Sequence, residues 1–242
     1  MKIISTVPSI TELLYDLGLD DEVVGITKFC VHPESWYKSK ERIGGTKTLN
    51  IDKIISLNSD LIISNKEENV KEQIETLSKN HNVYVTDIKT VEENIELISV
   101  VAELTDRLTV GNILIDNYQR SMDSIKIASK DKSAIYLIWK DPMMTIGDDT
   151  YIHSVMDLCG ISNRMIVEKR YPIIDMKKII SLAPELLLLS SEPYPFKEKH
   201  IKDFQSKLPQ TKVVLVDGEV FSWYGTRLIK CTEYLKQLVA SF

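Results

Sequence analysis

An internal repeat constrains the fold of this chain more than any other feature. The segment "DKIISLNSDLIIS" begins at Asp52 and returns as "KKIISLAPELLLL" at Lys177, a separation of 125 positions. The five residues "KIISL" are identical in both copies, and an acidic residue three places later, Asp60 or Glu185, precedes an apolar run each time. This repetition predicts two similar structural units in series.

Each copy is predicted to form a helix followed directly by a buried strand. Asn50 and Asp175 are expected N-caps, isoleucines recur at helical spacing, and the runs "DLIIS" and "ELLLLS" are the strands. Amphipathic helices follow in "KEENVKEQIETLSKNH" and "PFKEKHIKDFQSKL". Helices alternating with short buried strands indicate an α/β fold with mainly parallel sheets covered on both faces.

The residues around each copy support this interpretation. Near the N-terminus, the strand "KIIST" precedes a predicted capping box from Ser9 to Glu12 and a helix that ends at Gly18. In the second half, the strand "AIYLIW" precedes the helix "TYIHSVMDLCG", which ends at Gly160. Later strands are expected at "NVYVTDI" and "KVVLVDG". The chain therefore reads as two Rossmann-like lobes.

The connection between the lobes is predicted to be helical. From Thr90 to about Ser129 there is no proline, and apolar residues recur at helical spacing. One helix of this length would extend about 55–60 Å; the alternative is two helices broken near Gly111. The predicted organisation is an N-terminal lobe (1–89), one long backbone helix (90–130) and a C-terminal lobe (131–242), with a ligand cleft between the lobes at the carboxyl ends of the strands.

Composition excludes several classes of function. A formal charge of −5 gives no basic surface for nucleic acid, and no run of 18 apolar residues suggests a transmembrane segment. Glu12 and Asp16 interrupt the N-terminal region, so no signal peptide is expected, and as written the chain would remain in the cytoplasm. The three cysteines lack CxxC spacing and are expected to be buried free thiols.

No catalytic motif is recognisable. The segment "RIGGTK" lacks the spacing of a phosphate-binding loop, and the four histidines are scattered along the chain. The neighbouring carboxylates Asp148 and Asp149 are better explained by a turn before a helix. We therefore expect no catalytic residues, no metal site and no intrinsic cofactor.

Six segments together resemble a known family. They are "STVPSITELLYDLGL", "VVGITKFCVHP", "GGTKTLNIDKIISLNSDLII", "MMTIGDDTYIHSVMDLCG", "SSEPYPF" and "DGEVFSWYGTR". In order and spacing they are similar to the helical-backbone metal receptors, the substrate-binding proteins of cobalamin, haem and siderophore ABC importers. The cobalamin-binding branch is the most similar. The resemblance implies a monomeric, non-enzymatic, periplasmic or surface-anchored receptor that delivers a metal chelate to an ABC permease.

The loops at the predicted strand ends supply the candidate ligand-binding residues. Aromatic side chains in such loops suit stacking on a flat ligand, and polar or sulfur-containing side chains suit contacts to its rim or metal. The candidates are Phe29, Cys30, His32, Asn65, Lys66, Trp139, Met144, Tyr171, Glu192, Glu219, Trp223, Tyr224 and Arg227.

The resemblance also ranks the ligands. The pocket positions that are aromatic in cobalamin receptors correspond here to Phe29, Thr46, Asn65, Met144 and Tyr171, and the carboxylate below the corrin corresponds to Glu219. A corrinoid such as cobalamin is the first expectation, haem the second and a ferric siderophore the third, since only Arg170 and Arg227 could contact an anionic complex. A cytosolic corrinoid carrier or sensor, or an enzyme acting in the cleft, are alternatives from other classes.

The repeat also bears on the permease. In the family, an exposed carboxylate at the start of the repeated helix of each lobe pairs with permease arginines. Asp52 matches that position in the first copy, whereas the second copy has Lys177. The resemblance therefore predicts docking through Asp52 and a weakened second contact.

Overall fold

Two parallel sheets organise the molecule. The structure, a computed structural model, describes residues 1–128 and 131–242. The chain divides into two compact units that interleave along the sequence. The first unit comprises Met1–Ile88, Glu93–Tyr118 and Trp223–Arg227, and the second comprises Lys89–Glu92, Gln119–Ser222 and Leu228–Phe242. A five-residue segment near the C-terminus thus belongs to the first unit.

The first unit contains a five-stranded sheet in the order β3-β2-β1-β6-β7, with every neighbouring pair parallel. The strands are β1 (Ile3–Ser5), β2 (Val23–Ile26), β3 (Glu41–Arg42), β6 (Leu61–Asn65) and β7 (Val83–Thr86), and the hairpin β4 (Gly44–Gly45) and β5 (Thr48–Leu49) lies apart. The helices between them are α1 (Pro8–Asp16), α2 (Glu34–Ser39), α3 (Ile51–Ser56) and α4 (Lys71–Ser78).

The second unit contains a four-stranded parallel sheet in the order β11-β8-β12-β13. Its strands are β8 (Lys132–Leu137), β11 (Ile161–Asn163), β12 (Leu186–Ser190) and β13 (Lys212–Val216), and β9 (Trp139–Lys140) and β10 (Met143–Met144) form an antiparallel hairpin. The helices are α7 (Tyr151–Leu158), α8 (Met176–Leu182), α9 (Glu198–Gln205), α10 (Gly218–Ser222) and most of α11 (Arg227–Ala240).

The repeat is a structural repeat, as predicted. The Asn50 side chain caps α3 by accepting from the Lys53 N–H at 3.0 Å, and Asp175 caps α8 by accepting from Lys178 at 2.7 Å. The strands that follow, β6 and β12, are buried along their whole length. Buried apolar strands of this kind are typical of parallel sheets with both faces covered. The α/β fold class with mainly parallel sheets is confirmed.

The unbroken linking helix is a wrong prediction. The segment forms two helices, α5 (Val91–Leu104) and α6 (Leu108–Ala128), and Ser129 lies outside the described residues. The break falls before Gly111, at Asp106, which adopts a left-handed backbone with φ of 55°. A residue in this conformation commonly ends a helix, and aspartate tolerates it better than most residues.

Gly111 has a packing role rather than a helix-breaking one. An ideal Cβ built on Gly111 would lie 2.4 Å from the Cβ of Ala102, so α5 and α6 are in close contact at this pair. The turn that precedes it is closed by a hydrogen bond from the Arg107 N–H to the Ala102 carbonyl at 2.7 Å. Sequence alone shows the glycine but not the partner against which it packs.

The predicted capping box at the start of α1 is also wrong. Val7 is the N-cap, Pro8 opens the helix, and no side chain caps its first turn. Glu12 contacts Arg227 instead. The predicted helix ends are confirmed, since Gly18 and Gly160 follow α1 and α7 with φ of 75° and 66°.

Candidate functional site

The candidate residues follow the carboxyl ends of the parallel strands in both units. In the first unit, Phe29, Cys30 and His32 follow β2, and Lys66 follows β6. In the second unit, Trp139 follows β8, Glu192 follows β12 and Glu219 follows β13. This edge is where open α/β sheets bind their ligands.

A buried network of asparagines shapes the loop after β6. The Asn69 Oδ1 accepts from the Thr6 hydroxyl and from the Asn65 N–H, both at 2.8 Å. The Asn65 Oδ1 accepts from the N–H groups of Glu67 and Glu68 at 2.8 and 3.0 Å, and its Nδ2 donates to Thr86. Asn65 is buried and engaged inside the unit. Its position supports the loop that presents Lys66.

The segment Trp223–Arg227 packs on the first unit through specific contacts. Asn94 and Gly225 exchange two hydrogen bonds, from Nδ2 to the carbonyl at 2.8 Å and from the N–H to Oδ1 at 2.6 Å. Gly225 has φ of 83°, and an ideal Cβ there would lie 3.1 Å from the Ser9 carbonyl oxygen. The close approach to α1 therefore requires glycine.

A buried ion pair fixes Trp223 in this segment. The Arg227 Nε lies 3.1 Å from the Glu12 Oε2, and both side chains are almost fully buried. The guanidinium carbon lies 4.5 Å from the centroid of the Trp223 ring, a cation–π contact. The ring of the partly buried His32 also packs edge-to-face against the Trp223 ring, with the two ring centroids 5.7 Å apart. Trp223 is only 9% exposed, so its ring is mainly a packing element.

Two further candidates of the first unit are buried. The Tyr224 hydroxyl lies 3.3 Å from the Thr86 hydroxyl, and burial raises the pKa of Tyr224. Cys30 is fully buried, receives a hydrogen bond from Thr11 at 3.0 Å, and has a raised pKa because burial disfavours its thiolate. These side chains are placed to support the site rather than to form its surface.

Phe29 and Lys66 are the exposed candidates of the first unit. Phe29 is 50% exposed, and the Lys28 ammonium lies 5.1 Å from its ring centroid. Gly45 leaves room for this ring, because an ideal Cβ there would lie 3.2 Å from the Phe29 Cε2. The Lys66 Nζ pairs with Asp87 at 2.7 Å.

The second unit presents a row of apolar side chains. Trp139 on β9 pairs directly with Met144 on β10, and Met144 pairs across an antiparallel bridge with Ile173. Directly paired residues share one face of a sheet. Trp139 is 39% exposed, Ile173 is 69% exposed, and Met144 is partly exposed. We call Trp139, Met144 and Ile173 the apolar row.

The opposite face of the same strands packs on the core. Met143 packs against a cluster that contains Ile174, which is 4% exposed. Met143 and Ile174 face the core, whereas their neighbours Met144 and Ile173 face the other way. This follows the two-residue period of side chains in a strand. Two hydrogen bonds hold the bridge, Ile174 N–H to the Met143 carbonyl and Thr145 N–H to the Pro172 carbonyl, both at 3.0 Å. The apolar row is therefore fixed by its backbone.

The remaining candidates of the second unit are partly buried. Tyr171 is partly buried, and the guanidinium carbon of Arg170 lies 5.7 Å from its ring centroid. Glu192 is partly buried and accepts a hydrogen bond from the Ser222 hydroxyl at 3.1 Å. Glu219 is partly buried in the first turn of α10.

The two docking positions lie on the surface. Asp52 is exposed in the first turn of α3, and Lys177 is exposed in the first turn of α8. The next turn of each helix carries an exposed isoleucine at the same place in the repeat, Ile55 and Ile180.

Residues 1–128 and 131–242 contain neither a metal-binding cluster nor a membrane-spanning helix. In those ranges, no three His, Cys, Asp or Glu side chains are grouped in a way that could hold a metal ion. Across the same ranges, no helix has the length and apolar character to cross a membrane.

Sequence reasoning missed two residues that matter here. Ile173 was hidden because its alternation with Ile174 spans too few residues to indicate a strand. Glu12 was assigned to a helix cap, although its partner Arg227 lies 215 positions away in the chain. The two adjacent isoleucines after Pro172 have the same polarity, so nothing in the sequence separates the exposed one from the buried one, and no local signal marks the pairing of Glu12 with Arg227.

Comparison with known proteins gives consistent results. A sequence model of the family described as "Periplasmic binding protein" matches residues 3–214. The vitamin B12-binding protein of Vibrio cholerae serotype O1 is 24% identical over 194 residues, covering 78% of this chain and 70% of that protein. The uncharacterized ABC transporter substrate-binding lipoprotein YvrC of Bacillus subtilis is 25% identical over 253 residues, covering 98% and 79%.

Solved structures share the fold. The periplasmic vitamin B12 binding protein BtuF of Vibrio cholerae superposes with a TM-score of 0.84 at 21% identity, covering 98% of this chain and 96% of that chain. The periplasmic heme-binding protein RhuT from Roseiflexus sp. RS-1 superposes with a TM-score of 0.85 at 18% identity, covering 99% and 98%. Proteins named for two different ligands therefore have the same fold as this chain.

Proposed function

This chain belongs to the periplasmic binding protein family, and we propose that it is the substrate-binding protein of an ABC-type importer for a metal chelate, with a corrinoid as its ligand. The family match confirms the family predicted from sequence, and with it a solute-binding protein rather than an enzyme. We propose that the lobes are 1–89 and 131–242, joined by 90–130, with the later segment Trp223–Arg227 packed on the first lobe.

The apolar row is the observation that carries the ligand class. Trp139, Met144 and Ile173 lie side by side on one face of a short antiparallel sheet and are at least partly exposed. Aromatic and aliphatic side chains fixed on a sheet suit the flat face of a macrocycle. A ferric siderophore, which is anionic in many cases, would instead favour a cluster of arginines.

The buried ion pair engages one of the two arginines that could contact an anionic siderophore. Arg227 lies between Glu12 and Trp223 inside the first unit, where it pairs with a carboxylate of the protein itself. Arg170 remains partly exposed beside Tyr171. This arrangement favours a macrocycle over an anionic iron complex.

We propose different roles for the candidate residues. We assign ligand contacts to Trp139, Met144, Tyr171, Phe29 and Glu192, because each is at least partly exposed. Four others position the loops that carry the contacts, since they are buried and engaged within the first unit: Cys30, Asn65, Tyr224 and Arg227.

Titration of the purified protein with hydroxocobalamin, haemin and a ferric siderophore tests the proposal. We expect the corrinoid to bind with a dissociation constant well below about 100 μM, a free energy of about 5.5 kcal/mol. Visible absorption and tryptophan fluorescence provide independent readouts. Binding of haemin alone would identify a porphyrin, and not a corrinoid, as the ligand. Binding of none of the three would overturn the receptor function.

The permease is part of the same proposal. We propose that α3 docks through Asp52 and that Lys177 weakens the equivalent contact of α8. The support is the exposure of both residues at the first turns of repeated helices.

A further inference from the structure

We propose that Glu192 makes this protein select a chelate whose rim carries amide groups over one whose rim carries carboxylates. The inference rests on the proposed function, since it concerns the ligand site of the second unit. This selectivity would distinguish cobalamin from haem, because the corrin rim of cobalamin bears amides whereas the porphyrin rim of haem bears two carboxylates.

The sheet register places Glu192 at the ligand edge. Ser190 of β12 pairs with Val216 of β13, and the Ser191 N–H donates to the Val216 carbonyl at 2.9 Å beyond the last pair. Glu192 is therefore the second residue past the carboxyl end of β12. Its side chain leaves the sheet at the edge where α/β proteins bind ligands.

Glu192 leaves the same edge as the apolar row. On the other side of β12, Leu189 pairs with Leu137 of β8, and Trp139 is the second residue past the end of β8. Neighbouring parallel strands thus deliver an acidic side chain and an aromatic side chain to one edge. A macrocycle that stacks on the apolar row would bring its rim groups toward Glu192.

The contacts of Glu192 restrict the conformation of its side chain. The Ser222 hydroxyl lies 3.1 Å from the Glu192 Oε1 and 2.8 Å from the Gly218 carbonyl oxygen, so its one proton is shared between these two acceptors. An ideal Cβ on Gly218 would lie only 2.5 Å from the Glu192 Cγ, so glycine is needed at position 218 for this side-chain conformation. The Gly218 N–H in turn donates to the Ser191 hydroxyl at 2.9 Å. A preorganised acceptor discriminates better than a mobile one, because less ordering is needed on binding.

The selectivity follows from the chemistry of a fixed carboxylate. It accepts hydrogen bonds from the N–H groups of a ligand amide, and hydrogen bonds to a charged acceptor are among the stronger ones. A ligand carboxylate at the same place offers no N–H donor and adds repulsion between like charges. The same geometry therefore favours one rim group and disfavours the other.

The test compares one corrinoid in two chemical forms. Dicyanocobinamide carries side-chain amides, and dicyanocobyrinic acid carries carboxylates at the corresponding positions. The dissociation constants of both are measured by fluorescence quenching at about pH 7.5, where free carboxyl groups are ionised. We expect wild type to bind the amide form at least about tenfold more tightly, the scale of one lost charged hydrogen bond.

Glu192→Gln is the diagnostic variant, because glutamine keeps the shape and can still accept from Ser222. We expect the ratio of the two dissociation constants to fall toward one. Asp131→Asn is the matched control: it removes one negative charge before β8, at the opposite edge of the same sheet, and should leave the ratio unchanged. If Glu192→Gln does not fold, Ser222→Ala, which removes the hydroxyl that orients Glu192, should reduce the ratio.

The outcomes separate this inference from the proposed function. Equal affinity of wild type for both forms, or a ratio that Glu192→Gln and Ser222→Ala leave unchanged, overturns the role of Glu192 while the corrinoid function stands. If Glu192 had only a structural role, Glu192→Gln would weaken the binding of both forms equally and preserve the ratio of the dissociation constants. Failure of wild type to bind either corrinoid overturns the corrinoid function, and the inference with it.

Discussion

The carboxylate of Asp60 accepts a hydrogen bond from the backbone N–H of Lys2, with a distance of 2.6 Å from Oδ2 to N. In the second unit, Glu185 accepts from the Ser133 N–H at 3.0 Å. Lys2 and Ser133 are equivalent, since each precedes the residue of the central strand that pairs with the residue after the acid. The repeated acidic residue therefore anchors the start of the neighbouring strand.

This anchor predicts an acid-sensitive contribution to stability. The Lys132 side chain and then the Ser133 backbone lower the pKa of Glu185 from 4.5 to about 2. Because the folded-state pKa lies below the unfolded one, the stabilisation is complete above about pH 4.5 and is lost as the pH falls toward 2. We expect Glu185→Gln to lower the melting temperature at neutral pH and to flatten its decline between pH 5 and pH 2.5, as measured by circular dichroism.

Glu168→Gln is the control for this experiment, because it removes one negative charge from an exposed turn of the same unit. Its melting curve should keep the acid dependence of wild type. An unchanged acid dependence in Glu185→Gln would show that the anchor contributes nothing measurable.

Contact between α5 and α6 gives a second prediction. Gly111→Ala adds a methyl group 2.4 Å from the Ala102 Cβ, so we expect a loss of about 1–3 kcal/mol in the free energy of unfolding despite the better helix propensity of alanine. The double variant Ala102→Gly/Gly111→Ala removes the clash and should recover much of the loss. Urea denaturation measures both. Equal destabilisation in single and double variants would place the effect elsewhere.

The tryptophans are expected to separate ligand binding from packing. Trp139→Ala removes an exposed member of the apolar row, so ligand affinity should fall by about 1–3 kcal/mol with little change in melting temperature. Trp223→Ala should lower stability by about 3 kcal/mol, because the ring packs on Arg227 and is nearly buried. Titration calorimetry and thermal melts report the two quantities. The reverse result would exchange the two roles.

Tyr171→Ala belongs to the same series. Tyr171 is partly buried beside Arg170, two positions before Ile173, which pairs with Met144 of β10. We expect a loss of affinity of about 1–3 kcal/mol, as for Trp139. A variant that loses stability but keeps its affinity would show that Tyr171 is a core residue.

Local patterns in the sequence were sufficient for much of the fold. The caps at Asn50 and Asp175, the strands β6 and β12, and the helix ends at Gly18 and Gly160 each depend on a few consecutive residues, and all were predicted. Such features depend on hydrogen bonds and periodicities within one or two turns of chain.

The rest depends on partners distant in the chain. The break at Asp106 was missed because apolar periodicity continues across it, while the backbone turns through one left-handed residue. Trp223 was expected in the C-terminal lobe, yet the exchange of hydrogen bonds between Gly225 and Asn94 holds its segment on the first unit. The sequence proposed the row members Trp139 and Met144 as ligand contacts, but only the strand register adds Ile173.

The repeated helices give the last prediction. Asp52 on α3 and Lys177 on α8 occupy the same place in the repeat, each exposed in a first turn, but with opposite charges. Asp175 does not replace the missing carboxylate, because its Oδ1 already accepts from the Lys178 N–H at 2.7 Å as the cap of α8. We therefore expect wild type to dock weakly on a permease that presents an arginine to each helix.

Lys177→Glu should strengthen that docking by about 1.5–3 kcal/mol, the scale of one hydrogen bond to a charged group. The measurement is surface plasmon resonance against a permease of the family in lipid nanodiscs, at about 0.1 M salt so that surface charges are not fully screened. Lys178→Glu is the matched control, since it makes the same charge change on the neighbouring position of α8. Asp52→Asn should abolish the remaining contact. The contrary result is tight docking by wild type, with an affinity that neither Lys177→Glu nor Asp52→Asn changes. That result would show that the permease binds a different surface, because neither repeat position would contribute to docking.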